Sequence, residues 1–185
     1  MPASPIVILD RDGVINEESA DYVKAVSEWR PIAGSLDAVA KLNHAGFRVV
    51  IATNQSGVGR SLFSYETLNQ IHEHMTRELS AHGGFVDAVF FCTCLPSENC
   101  SCRKPSPGML HDIVARTRCD LNSAVMIGDS LRDIEAARSA GVKPILVRTG
   151  NGQATEAELP QAWQVEVFDD LAGAVEYITR KPTEH

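Results

Sequence analysis

Five continuously apolar runs along the chain alternate with segments whose apolar residues recur at helical spacing. The runs comprise residues 5–9, 47–53, 86–91, 123–128 and 143–148. Continuous apolar character, without alternation, is typical of parallel strands that are covered on both faces of a sheet. The pattern therefore predicts five parallel strands with helices packed on both sides.

Between these runs, apolar residues three or four positions apart form stripes that predict helices. The stripes are Leu36, Val39 and Leu42; Leu68, Ile71, Met75 and Leu79; Leu110, Ile113 and Val114; and Leu131, Ile134 and Ala137, with a last helix over about Leu171–Thr179. Glycines 46, 83 and 141 follow three of these segments, where a left-handed residue commonly ends a helix. Alternating strands and helices with short connections predict an α/β fold with a doubly wound parallel sheet.

The length of 185 residues suits a single domain, and we assign residues 1–185 to it. Two connections are long. Residues 13–34 are expected to form loops over the first edge of the sheet, and residues 92–108, rich in Cys, Ser and Pro, are irregular.

Composition and charge narrow the range of partners. The chain is 44% hydrophobic and 22% charged, as globular proteins are, and its net charge of −7 disfavours nucleic acid and anionic membranes as partners. The amino-terminal residues do not resemble a signal peptide, and no segment has the length of a membrane span. We therefore expect a cytoplasmic protein, without a disulfide framework and monomeric, since nothing in the sequence demands a partner.

Polar residues follow the predicted strands at the edge where doubly wound sheets bind their ligands. Asp10 and Asp12 end the first strand, residues 53–55 end the second, and Asp129 ends the fourth. Any one of these carboxylates is equally well explained as a turn residue or a helix N-cap. Their convergence at one edge instead favours a Mg²⁺ site, because like charges at close range demand a cation.

Groups suited to a phosphate ester accompany the carboxylates. Lys104 precedes a proline and a helix start, Thr53 supplies a hydroxyl, and the small residues after Gln55 offer backbone N–H groups to phosphate oxygens. Carboxylates, an ammonium and a hydroxyl around one crevice indicate phosphoryl transfer, in which a carboxylate can be the nucleophile.

Four motifs, "DRDGVIN", "TNQSG", "CRKPSPG" and "GDSLRD", resemble in order those of the haloacid dehalogenase superfamily of phosphohydrolases, over about residues 6–150. The resemblance implies that Asp10 is the nucleophile and that Asp12 protonates the leaving oxygen and then activates water. It also implies that Thr53 and Lys104 hold the phosphoryl group. The implied Mg²⁺ ligands are Asp10, the backbone carbonyl of Asp12, and Asp129; Asp133 either supports the site or merely lies on its helix.

The segment "CTCLPSENCSC" places four cysteines, Cys92, Cys94, Cys100 and Cys102, within eleven residues. Four thiolates in so short a loop favour tetrahedral Zn²⁺, which would be structural because no coordination position is left open. Disulfides or free thiols are the alternatives. Cys119 stands alone and is best explained as a small, partly buried residue.

A zinc loop of residues 92–102 directly before "RKP" is similar to the D-glycero-D-manno-heptose-1,7-bisphosphate 7-phosphatase family, in which Cys94 would occupy a position that is usually His. The resemblance implies a capless enzyme that removes the 7-phosphate of this small phosphorylated sugar, for the nucleotide-activated heptose of bacterial surface glycans. The implied substrate contacts are Arg103, the best candidate for the distal part, and Asn54, Gln55, Ser56, Arg60 and Tyr22. Arg60 is equally explained as a solvated loop charge.

Several other functions compete with this interpretation. Histidinol-phosphate phosphatase is the alternative within the related enzymes, and a polynucleotide 3′-phosphatase shares two motifs but conflicts with the acidic charge balance. A phospho-acceptor signalling domain also clusters aspartates, but it has no use for a second acid such as Asp12. A non-catalytic zinc-loop binding module is the last alternative.

Overall fold

The computed structural model describes residues 5–180, with the side chain of residue 122 excepted; the ends of the predicted 1–185 domain, residues 1–4 and 181–185, lie outside the described residues. The fold is built on a six-stranded, entirely parallel sheet. Its strands are β1 (Ile6–Leu9), β2 (Arg48–Asn54), β3 (Ala88–Cys92), β4 (Val125–Gly128), β5 (Lys143–Val147) and β6 (Glu166–Phe168), in the order β3-β2-β1-β4-β5-β6. This confirms the predicted doubly wound α/β class.

Residues 5–180 also form seven α-helices. They are α1 (Ser35–His44), α2 (Ser56–Gly59), α3 (Tyr65–Ala81), α4 (Gly108–Thr117), α5 (Leu131–Ala140), α6 (Gly152–Glu158) and α7 (Leu171–Arg180). The sequence prediction lacks β6, α2 and α6. The three residues of β6 are only partly buried, and α2 and α6 carry too few apolar residues to form a stripe.

The hydrophobic core has two halves, one on each face of the sheet. In β1, Val7 and Leu9 belong to one half and Ile6 and Ile8 to the other, and all four are fully buried. Residues of α1, α3 and α7 complete the first half, and residues of α4 and α5 complete the second. Because both faces are covered, the central strands are largely apolar and do not alternate.

Strand register brings the polar strand ends together. Leu9 in β1 pairs with Ile51 of β2 and with Ile127 of β4, so the ends of these three central strands lie side by side. β1 lies in the interior of the sheet, so residues 13–34 start from a central strand. They do not run over the first edge of the sheet as predicted. Within this connection Asn16 forms bridges with Asp12 and Pro31, which folds the segment back over the strand end.

Within residues 5–180, no helix is both long enough and apolar enough to cross a membrane.

Candidate active site

A cavity of about 300 Å³ opens at the carboxyl ends of the central strands. All the residues predicted for catalysis, substrate contact and the Mg²⁺ site line it: Asp10, Asp12, Tyr22, Thr53, Asn54, Gln55, Ser56, Arg60, Arg103, Lys104 and Asp129. Glu18, Ser130, Arg132 and Asp133 line the same cavity. The fold thus gathers residues from three strand ends and two loops around one space.

Lys104 is fully buried between two carboxylates of this cavity. Its Nζ lies 3.1 Å from Oδ1 of Asp10 and 2.6 Å from Oδ1 of Asp133, and it donates to the backbone carbonyl of Ala52 at 2.6 Å. Burial opposes the charge, but Asp10 and Asp133 outweigh it and raise the pKa of Lys104. The ammonium is therefore held charged beside Asp10.

The carboxylates outnumber this cation. Burial, and then the charge of Asp133, raise the pKa of Asp10 to about 8, although Lys104 acts in the opposite direction. Burial and Asp133 likewise raise the pKa of Asp129 to about 7. Three acids facing one ammonium leave the cluster short of positive charge, and this is the electrostatic condition that a divalent cation relieves.

The donor set fits Mg²⁺. Carboxylate oxygens of Asp10, Asp129 and Asp133 lie within 4.8 Å of one another, and all three residues are buried. A few hard oxygen ligands beside a space for phosphate and water are what Mg²⁺ takes in proteins. The structure thus adds the carboxylate of Asp133 to the predicted cluster, while the backbone carbonyl of Asp12 as a ligand stays a prediction.

Local structure fixes two of these acids. The Oδ2 of Asp133 accepts hydrogen bonds from the backbone N–H and hydroxyl of Ser130 at 3.0 and 2.6 Å, which forms the N-terminal capping box of α5. The Oδ2 of Asp129 accepts from the backbone N–H of Asn151 at 2.8 Å. Both carboxylates are therefore oriented by the loops and helix starts that follow the strands.

Asp12 is surrounded by donors. Its Oδ1 accepts from Asn16 at 2.8 Å, its Oδ2 accepts from Gln55 at 2.8 Å, and the Arg11 guanidinium binds both oxygens. Burial would raise the pKa of Asp12, but Arg11 and the donated hydrogen bonds lower it. Asp12 is thus held in one orientation at the cavity.

Two predicted substrate contacts have their amides engaged elsewhere. The Asn54 side chain donates to the carbonyl of Lys104 at 2.9 Å and accepts from its N–H at 3.1 Å. The Gln55 amide binds Thr53 at 2.9 Å as well as Asp12. These side chains line the cavity, and their amides also hold the Lys104 backbone and the side chains of Asp12 and Thr53 in place.

Three basic residues and one residue with an uncommon backbone conformation also line the cavity. Arg60 and Arg103 line it as predicted, and Arg132 of α5 adds a third guanidinium. Tyr22 has a φ of 64°, an uncommon conformation for a residue with a side chain that is often associated with binding sites. Glu18 lies nearby, and burial followed by Asp12 raises its pKa to about 7.

The four clustered cysteines converge as predicted. Their sulfur atoms lie within 4.8 Å of one another, with Cys92 and Cys102 only 2.9 Å apart, and no disulfide joins them. Burial opposes ionisation of Cys100, but hydrogen bonds from the neighbouring thiols lower its pKa to about 7. The donor set fits tetrahedral Zn²⁺, and the adjoining Arg103 donates to the backbone carbonyl of Cys94 at 3.1 Å.

Sequence reasoning missed residues behind the cavity wall. Arg11 stands inside the first motif, and His72 falls on the apolar stripe of α3, four positions after Leu68. Thr149 and Asn151 follow β5, a strand end for which no site residue was predicted. The positions of these residues in the sequence were plain, but no local pattern predicts which side chains they contact in the fold.

Comparison with known proteins gives matches over nearly the whole chain. Residues 101–174 match the HAD-hydrolase-like family model. The D-glycero-beta-D-manno-heptose-1,7-bisphosphate 7-phosphatase of Bordetella bronchiseptica is 48% identical over 95% of this chain and 98% of its own length. The enzyme of the same description from Neisseria meningitidis serogroup B is 44% identical over 96% of both chains.

Solved structures agree with these relatives. The crystal structure of D,D-heptose 1,7-bisphosphate phosphatase from B. bronchiseptica, complexed with magnesium and phosphate, superposes with a TM-score of 0.92 at 48% identity, covering 96% of this chain and 99% of that chain. The phosphatase of the same type from Burkholderia thailandensis has a TM-score of 0.76 at 42% identity, with the same coverage.

Proposed function

This chain belongs to the D-glycero-D-manno-heptose-1,7-bisphosphate 7-phosphatase family of haloacid dehalogenase-like hydrolases, and we propose that it hydrolyses the 7-phosphate of this heptose bisphosphate, leaving the 1-phosphate. One observation carries the proposal: Asp10, Asp12 and Lys104 surround a single cavity in a chain that matches such enzymes over nearly its full length. Family membership also disfavours a signalling domain or a zinc module without catalysis.

In the first step an Oδ atom of Asp10 attacks phosphorus. The bond between phosphorus and the C7 oxygen breaks, and Asp12, which takes up a proton as the negatively charged phosphate ester binds beside it, transfers this proton to the departing oxygen. The sugar then leaves as a neutral alcohol and Asp10 becomes an aspartyl-phosphate. Lys104, 3.1 Å from Oδ1 of Asp10, stabilises the phosphoryl oxygens, and Thr53 donates its hydroxyl to them.

In the second step water attacks the same phosphorus atom. Asp12, now a carboxylate, accepts a proton from the water as the bond between phosphorus and Asp10 breaks, and inorganic phosphate leaves. Asp12 is suited to the base role because Asn16, Gln55 and Arg11 hold its charged form in place. One residue therefore serves both steps.

Mg²⁺ held by Asp10, Asp129 and the backbone carbonyl of Asp12, beside Asp133, would supply the positive charge that this cluster lacks and offset the charge of the phosphate. Zn²⁺ held by the four cysteines would order residues 92–102 ahead of Arg103 and Lys104. We assign the distal phosphate to Arg103, with Arg60, Ser56 and Tyr22 also facing the substrate.

Residues 1–185 would act as one capless catalytic domain and as a monomer in the cytoplasm, where a reducing environment keeps the zinc ligands as thiols. With a net charge of −7, the protein would act on a soluble sugar phosphate and bind neither nucleic acid nor membrane.

A substrate panel tests the proposed specificity. Specificity constants are measured with Mg²⁺ for both anomers of the heptose bisphosphate, for histidinol phosphate and for a 3′-phosphorylated oligonucleotide. We expect a heptose anomer to be preferred by at least about tenfold, a difference of about 1.4 kcal/mol in activation free energy. Preference for histidinol phosphate or the oligonucleotide would overturn the proposed substrate.

Replacing the nucleophile tests the proposed chemistry. Asp10→Asn should lower phosphate release by more than about 1,000-fold, because an amide is a far weaker nucleophile than a carboxylate. Circular dichroism should show a folded protein. The matched control is Asp112→Asn, which changes a half-exposed carboxylate on the surface of α4 and should leave turnover unchanged. Activity retained in Asp10→Asn would exclude the aspartyl-phosphate route.

A further inference from the structure

Arg11 is a buried cation whose part in the steps above is confined to its contact with Asp12. It lies between the two aspartates of the first motif, yet its side chain has no solvent exposure. Burial of a guanidinium costs free energy unless its N–H donors are hydrogen-bonded. The hydrogen-bond partners of Arg11 therefore indicate its role.

The guanidinium of Arg11 is aimed at Asp12. Its Nε lies 3.1 Å from Oδ1 of Asp12, and its Nη2 lies 2.9 Å from both Oδ1 and Oδ2. Such two-atom binding fixes a carboxylate in the plane of the guanidinium, which a single donor cannot do. Asn16 and Gln55 add one bond each, but Arg11 alone contacts Asp12 through two of its nitrogens.

His72 of α3 holds the other end of Arg11. Its Nε2 lies 3.2 Å from Nη1 of Arg11. Since Arg11 can only donate, Nε2 accepts and the ring is neutral, with its proton on Nδ1. The ring also packs against Phe91 of β3, with 5.8 Å between centroids. His72 thus braces the guanidinium from the side away from Asp12.

We infer that Arg11 is a positioning residue for Asp12, and that His72 positions Arg11. This inference rests on the acid–base role given to Asp12 under the proposed function. The pair holds the Asp12 carboxylate where it meets the leaving oxygen and the attacking water, so its effect is felt in the transition state and little in substrate binding. Loss of the pair should lower kcat much more than it changes KM.

The dependence on the leaving group separates positioning from general support of the fold. Phenyl phosphate releases a basic oxygen that needs a proton, whereas p-nitrophenyl phosphate releases a stable anion that does not. If Arg11 positions the acid, Arg11→Met should lower kcat/KM for phenyl phosphate by about 100-fold, within the range that general acid catalysis contributes. The loss for p-nitrophenyl phosphate should be several times smaller.

Two further variants should show smaller losses of activity than Arg11→Met. Arg11→Lys keeps a charge but not the two-nitrogen contact and should retain part of the activity lost in Arg11→Met. His72→Leu leaves Asp12 untouched but removes the brace, and it should show the same leaving-group selectivity at smaller amplitude. Leu68→Ala is the matched control: it empties a buried site in the same helix, so it lowers the melting temperature and should affect both substrates equally.

Equal proportional losses on both aryl phosphates in the Arg11 variants, or no loss, would overturn the inference. A crystal structure of Arg11→Met or, should that variant not fold, of Arg11→Lys gives a second reading that needs no turnover. An Asp12 carboxylate turned from its wild-type position supports the inference, and an unmoved one contradicts it. The position of Asp12 in this crystal structure tests the inference alone. The substrate panel with the wild-type protein tests the proposed substrate alone, so the two can fail separately.

Discussion

Asn151 binds Oδ2 of Asp129 twice, through its backbone N–H at 2.8 Å and through its side-chain amide at 3.2 Å. Asn151 follows β5 and Asp129 follows β4, so the contact joins the ends of neighbouring strands. With Oδ2 engaged in this way, the other carboxylate oxygen of Asp129 is left for the proposed Mg²⁺. Partners that orient a ligand carboxylate usually contribute to metal affinity.

Asn151→Ala should therefore weaken Mg²⁺ binding. The backbone bond survives the change, so we expect an affinity loss of about tenfold, at the lower end of what loss of such a partner costs. Isothermal titration calorimetry with Mg²⁺ measures this directly, without turnover. Gln153→Ala, an exposed change two residues further on, is the control. Unchanged affinity in Asn151→Ala would show that the backbone contact alone orients Asp129.

The position of Gly13 leads to a second prediction about the Asp129 carboxylate. A Cβ at Gly13 would lie 2.1 Å from Oδ2 of Asp129, and the residue has a φ of +79°. Gly13→Ala should therefore both strain the backbone and displace Asp129, lowering Mg²⁺ affinity and kcat together. The strain alone should cost about 1 kcal/mol in the free energy of unfolding.

The chain offers a matched control in Gly46, which has a φ of +85° and open space, with no neighbouring atom within 4 Å, where a Cβ would stand. Gly46→Ala should lose a similar amount of stability by urea denaturation with no change in Mg²⁺ affinity or turnover. If the two variants lose Mg²⁺ affinity to the same extent, the close approach of Gly13 to Asp129 has no part in the metal site.

Most of the strands could be predicted from the sequence because a strand that is buried on both faces has a continuous run of apolar residues. It placed Asp10, Thr53 and Asp129 together because the ends of neighbouring parallel strands meet at one edge of a sheet. These inferences need only local patterns and one topological rule. Burial of β6 is partial and its length is three residues, so no local pattern distinguished it.

The surroundings of Asp12 were out of reach for a different reason. His72 reaches Arg11 across 61 positions of sequence, and Gln55 reaches Asp12 across 43. Such contacts depend on side-chain directions in the assembled fold. On an apolar helix stripe, a histidine is indistinguishable in sequence from a residue that merely packs. For the same reason the hydrogen bond from the Asn54 amide to the backbone of Lys104 was not predicted, while the contact of Asn54 with substrate stays a prediction.

His72 makes a prediction about acid stability. Burial, and then the neighbouring Arg11, lower the pKa of His72 to about 4, whereas an unfolded histidine titrates near 6.5. The neutral ring therefore contributes fully to stability above pH 6.5, and this contribution is lost as the pH falls towards 4. At pH 5 the loss amounts to about 2 kcal/mol.

The variant His72→Gln offers an acceptor to Arg11 but cannot be protonated. Urea denaturation of both proteins at pH 7.5 and pH 5 should show that the wild type loses about 2 kcal/mol more than the variant over this interval. Both proteins share the same carboxylates, so their titration cancels in the difference. Parallel pH profiles would mean that His72 is solvated enough to titrate normally in the folded protein.

The cysteine cluster predicts a structural metal whose loss reaches the active site through Arg103. Cys102→Ser removes one of four ligands, so it should lower the zinc content measured by atomic absorption from one per chain to a small fraction. Without zinc, residues 92–102 should lose their order. Because Arg103 donates to the carbonyl of Cys94, Arg103 should then lose this contact, and KM for the bisphosphate should rise more than kcat falls. Cys119→Ser, outside the cluster, is the control and should leave zinc and kinetics unchanged. Full activity in a zinc-free Cys102→Ser protein would contradict the link between this loop and Arg103.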